Sequence, residues 1–160
     1  MYKILTLLFI SLLFISCSSK NNAFKYFEKD DIETKGIHYT KKIDILKDKE
    51  IDIIFWATYL NKIDKNISDS KEEIFLISVY FANADSQSIK ENGYKFLLNS
   101  KEAVLFEKVE EDDENLKSLM LKNHWGNYYL VKFDSLEDIN NLRLELTNQK
   151  SSRAILDFEK

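Results

Sequence analysis

Ile51-Asp52-Ile53-Ile54-Phe55-Trp56-Ala57-Thr58-Tyr59-Leu60 decides the fold class. Side chains alternate across a strand, so Ile51, Ile53, Phe55, Ala57 and Tyr59 share one face. The other face, with Ile54, Trp56 and Leu60, is also largely apolar. A strand apolar on both faces belongs inside a sheet. Upstream, the charged Lys47-Asp48-Lys49-Glu50 reads as a turn from an earlier strand over residues 37–46. Downstream, the polar stretch 61–73 reads as a loop into Ile74-Phe75-Leu76-Ile77-Ser78-Val79-Tyr80-Phe81, again apolar on both faces. There Phe75, Ile77, Val79 and Phe81 form the expected inward set.

The same pattern continues outward. Residues 83–88 are turn-like, 94–98 alternate, a turn falls at Asn99-Ser100, and 103–109 read as a strand. Behind the acidic run Glu110–Glu114, Leu116, Leu119 and Met120 have the spacing of a short helical turn near 114–121. Strands are expected again at 128–133, at 142–147 and, after the polar loop 148–152, at 153–158. In 142–147, Leu142, Leu144 and Leu146 alternate with Arg143, Glu145 and Thr147. About seven to eight short strands separated by turns predict an all-β fold, a single antiparallel β-sandwich. The closing order resembles the end of an immunoglobulin-like domain: aromatic strand, acidic corner, alternating strand, polar loop, last strand. The cysteine pair of that family is missing. Residues 23–35, with Phe24, Tyr26 and Phe27, fit either a first strand or an arm laid on the domain.

The N-terminus carries a different signal. Lys3 is followed by the apolar run Ile4–Ile15, the small Ser16 and the sole cysteine, Cys17. A charged start, a short apolar core and a small-residue exit describe a secretory signal peptide. The run is too short to span comfortably, because a membrane helix needs ~20 such residues. Phe14-Ile15-Ser16-Cys17 resembles the lipobox of bacterial lipoproteins, with Phe14 where the family favours Leu. That resemblance implies a signal peptide over 1–16 and lipidation of Cys17, palmitate included, as the new N-terminus. It further implies a membrane-anchored envelope protein; residues 17–23 would then be the lipidated N-terminus and tether, with the β-sandwich domain expected from the strand pattern over 24–160. In a Gram-negative host, Ser18 after the cysteine would imply the outer membrane, with the domain facing the periplasm. The alternatives are ordinary secretion with cleavage after Ser18, or a cytosolic chain with an apolar start.

Composition sets further bounds. Removing residues 1–16 from 160 leaves 144, suited to one core, and losing Lys3 moves the net charge from −4 to −5. An acidic chain without a basic tract argues against nucleic acid. One cysteine allows no internal disulfide, so packing alone must hold the domain.

No catalytic motif is legible. His38 and His124 have no partners at metal-ligand spacing. Neither a Gly-x-Ser-x-Gly elbow nor a Gly-rich phosphate loop is present. The acidic run 110–114, and Asp134, Glu137 and Asp138, lack calcium-loop spacing and read as solvated turns. No cofactor is expected. The patch Asn123-His124-Trp125-Gly126-Asn127-Tyr128-Tyr129 is the candidate binding region. There Trp125, Tyr128, Tyr129 and His124 would offer contact area with polar handles. The bland alternative is that these rings plug one end of the sandwich. The sequence thus predicts a non-enzymatic envelope lipoprotein docking onto another envelope protein. A glycan- or peptidoglycan-binding module is the second reading, and a hydrolase a remote third.

Overall fold

The computed structural model describes residues 31–63, 71–120, 126–148 and 153–160. Helix α1 spans Asp31–His38, and nine strands follow: β1 Thr40–Lys47, β2 Glu50–Tyr59, β3 Glu72–Phe81, β4 Tyr94–Leu98, β5 Lys101–Glu102, β6 Leu105–Val109, β7 Asn127–Asp134, β8 Asn141–Asn148 and β9 Arg153–Glu159. They form two antiparallel sheets, β1-β2-β3-β7-β6 and β5-β4-β8-β9. With β1 set aside, the order β2-β3-β7-β6 over β5-β4-β8-β9 is that of an immunoglobulin-type sandwich. In that scheme β3 and β8 are the strands that the missing cysteine pair would join. Here they carry Phe75, Ile77 and Val79 against Leu142, Leu144 and Leu146, all fully buried. Burying each of these side chains contributes roughly 1.5–3 kcal/mol, which is how the fold stands without a covalent staple.

Turn chemistry fixes the hairpin registers. Asp48 and Lys49 both have positive φ, 54° and 72°, as do Asn99 and Ser100, at 47° and 71°. Two-residue loops of this handedness match the twist of the strands they join. The central strands behave as their composition requires. β3 is buried along almost its whole length, and β2 lies between β1 and β3.

Three expectations need correction. Ile37 and His38 are not strand: they end α1, and β1 begins at Thr40. Asp31 and Glu33 in the first turn, Lys35 and His38 in the last, and the Lys35–Asp31 ion pair at 2.5 Å suit the helix dipole. Gly36 lets α1 lie close on Leu119; a Cβ there would come 2.6 Å from its Cδ2. The strand expected over 103–109 is shorter: Ala103 and Val104 lie between β5, which ends at Glu102, and β6, which starts at Leu105, because the chain crosses between sheets there. Glu73, assigned to a loop, is inside β3 and buried.

The helical turn near 114–121 is present as hydrogen-bonded turns. Lys117 N–H donates to Asp113 O at 2.9 Å and Met120 N–H to Leu116 O at 3.2 Å. It covers the outer face of the larger sheet. Tyr39, Leu116, Leu119 and Met120 pack there on a second apolar cluster of Leu60, Ile63, Ile74, Leu76, Val109 and Tyr128.

Candidate functional site

The two edges of the sandwich are built differently, and the site lies on the open one. At one edge β1 meets β9, with Lys41 Nζ donating to Asp157 O at 2.6 Å. At the other, among the described residues, β6 pairs only with β7, and β5 covers only Leu97 and Leu98 of β4. Among the described residues no strand bridges β6 and β4 here. Between them two adjoining hollows of about 250 and 480 Å³ share Ile89, Lys90 and Phe106.

The wall is aromatic because β4, β6 and β7 each turn a ring inward. Phe55, Phe96, Phe106 and Tyr129 form a continuous series, with centroid separations of 6.1, 5.6 and 4.8 Å. It runs from the centre of the core to half-buried Phe106 at the surface.

The connection over residues 82–93 closes one end and is pinned rather than loose. Gln87 imitates a strand partner: its Oε1 accepts from Phe81 N–H at 2.8 Å, and its Nε2 donates to Phe81 O at 2.7 Å. Its own carbonyl accepts from Asn127 Nδ2 at 3.1 Å. Ile89 is buried in the core, and Asn92 Nδ2 donates to both Ser86 O and Ser88 O. A site with fixed walls loses little entropy on binding.

Charge is distributed unevenly around the hollows. Lys95 is paired with Glu102 at 2.5 Å, and that hydrogen bond and charge hold the Glu102 carboxyl below the usual glutamate range. Lys90 and Lys108 are exposed and have no ion-pair partner among the described residues. Burial raises the Tyr129 phenol, so the ring lines the site as a neutral group.

The structure separates the residues singled out in the sequence. Tyr128 and Tyr129 are neighbours on β7 and therefore face opposite sides of the sheet. Tyr128 joins the outer cluster at 4% exposure, while Tyr129 joins the main core at 6%. Only Tyr129 reaches the hollows. Two rings buried on opposite faces give no common platform for stacking a sugar. His124, Trp125 and Cys17 lie outside the described residues. His38 is exposed, at the end of α1 beside the Tyr39 ring.

Among the described residues, no group of three or more His, Cys, Asp and Glu could hold a metal ion. No helix among them is long and apolar enough to cross a membrane.

No protein-family model and no curated protein sequence matches this chain. What the site can do follows from its own residues. Aromatic walls, two lysines without an ion-pair partner among the described residues and an open strand edge suit binding. Phe106, Lys90 and Lys108 were not legible as site residues. In sequence Phe106 is one more core aromatic, and the lysines are two of many; only the missing strand neighbour gives them a role.

Proposed function

We propose that this chain is a lipid-anchored protein of a bacterial cell envelope, and that its sandwich is a non-catalytic module docking onto another envelope protein. The observation that carries the reading is the N-terminal pattern: Lys3, an almost wholly apolar run, Ser16, and the only cysteine directly behind it. Chance placement of a sole cysteine at that position is poorly explained by core packing or by disulfide chemistry. A single acyl chain holds a protein to a bilayer only marginally, whereas several anchor it firmly. Lipidated Cys17 would therefore fix the domain at the surface, and Ser18–Asn22 would reach about 17 Å beyond it. In a Gram-negative host, Ser18 favours the outer membrane with the domain in the periplasm. The open edge of the sandwich supports a role in protein contact.

The test has two parts. Cells expressing the full chain and a Cys17→Ser variant are fed an alkyne-tagged fatty acid, and lipid incorporation and membrane partition are followed. The wild type is expected to carry label and sediment with membranes, and the variant to lose both. Equal sedimentation without label in either protein would remove the anchor. Cross-linked affinity purification from detergent-solubilised membranes then reports the partner, with one stoichiometric envelope protein expected.

A further inference from the structure

We propose that the β6 edge accepts an extended, acidic segment of the partner protein as an added strand, with an apolar side chain of that segment seated in the hollow beside Phe106. This rests on the docking reading above and specifies its partner's chemistry.

Three observations converge on that edge. Among the described residues β6 is hydrogen-bonded to β7 alone, so its other side presents backbone donors and acceptors along Leu105–Val109. Extended peptides complete such edges by main-chain hydrogen bonding, with pockets selecting alternate side chains. Strand alternation then turns Phe106 and Lys108 to the hollow, as their places along its walls confirm. The floor between Phe96, Phe106 and Ile89 is apolar, and its walls admit one side chain of moderate size.

Charge selects the occupant. Lys90 and Lys108 flank the hollow without an ion-pair partner among the described residues, on a chain whose net charge is −4. Lys95, the third cation near the site, is already satisfied by Glu102. An incoming strand with carboxylates beside Lys108 and Lys90 would complete the unpaired cations. A second copy of this chain fits poorly. In the antiparallel register centred on Glu107, two β6 edges would place Lys108 opposite Phe106 and set the Glu107 carboxylate against its twin. Like charges directly opposite destabilise a sheet.

The experiment uses the full-length protein in cells. A photo-crosslinking phenylalanine analogue is placed at Glu107 on the β6 edge and, in a separate variant, at Asp157 on the closed edge. Adducts are purified and the crosslinked peptide is sequenced by mass spectrometry. The expected result is an adduct from position 107 to an acidic partner segment with alternating apolar residues, and none from position 157. In parallel, Lys90→Glu with Lys108→Glu should lower partner retention roughly tenfold, and added salt should weaken wild-type retention. Both lysines are exposed, so circular dichroism of the variant should match the wild type. If the wild type captures a partner but adducts form only at position 157, or the double variant retains as much partner, the strand-addition proposal fails and docking stands. If the wild type captures no envelope protein, the docking reading fails and this proposal falls with it.

Discussion

One edge of this sandwich is sealed with polar groups and the other is left aromatic. At the β1–β9 edge, Lys41 reaches across to the β9 backbone and lies 5.4 Å from the Phe158 ring centroid. Beneath it Tyr59 stacks on Phe75 at 5.0 Å and donates its hydroxyl to Glu73 Oε2 at 2.5 Å. Lys160 Nζ holds the other carboxylate oxygen at 2.5 Å. A carboxylate only 1% exposed is costly unless paired and hydrogen-bonded, and here both oxygens are engaged. At the β6 edge the aromatic series reaches the surface instead. The difference teaches that closure is a choice of side chains. The same pair of sheets can end in a satisfied polar lock or in an apolar surface that a partner can cover.

The largest expected effect tests that contrast directly. Phe75→Ala should cost about 3–5 kcal/mol in urea unfolding of the detergent-solubilised full chain, because the ring is wholly buried among Tyr59, Phe133 and Phe158. Phe106→Ala at the open edge should cost only about 1–2 kcal/mol, since part of its surface already meets water. Equal costs would mean that the open edge is packed as tightly as the core.

Tyr59→Phe sharpens the account of the lock. It leaves Glu73 with Lys160 as its remaining partner and should cost about 1–3 kcal/mol. Burial first, then the hydrogen bond and charge of Glu73, push the Tyr59 phenol well above its ordinary value of 10.0. The folded state therefore holds that proton more tightly than the unfolded chain. The associated stability is complete below pH 10.0 and falls above it by roughly 1.4 kcal/mol per pH unit. Tyr59→Phe should flatten much of that alkaline slope, and an unchanged slope would assign it elsewhere.

The smallest effect is expected at the rim of the open edge. Glu102→Gln breaks the pair with Lys95, whose partners are 58% and 70% exposed. Such pairs are screened and conformationally costly, so the unfolding midpoint at physiological salt should not move. A measurable drop would show that the rim carries stability as the closed edge does.

Much of the architecture was legible because it rests on local periodicity. β2, β3, β4, β8 and β9 lie where alternation or paired apolar faces place them, and charged or Asn-Ser pairs mark their turns. What eluded the sequence has physical causes too. α1 was hidden because Gly36 reads as a breaker, although there it permits contact with Leu119. Glu73 reads as loop because a lone carboxylate argues against burial, and its partners Tyr59 and Lys160 are distant in sequence. Tyr128 and Tyr129 look like one patch, yet adjacency along a strand guarantees opposite faces.

The sequence by itself determined the β class, the turn positions, the reliance on packing without a disulfide, and the pattern ending at Cys17. Each is a property of neighbouring residues or of composition. Only the tertiary structure decided which edge is closed, which lysines lack partners and which aromatic rings reach the surface. Those depend on which strands become neighbours, and strand order is fixed by contacts between residues far apart in the chain.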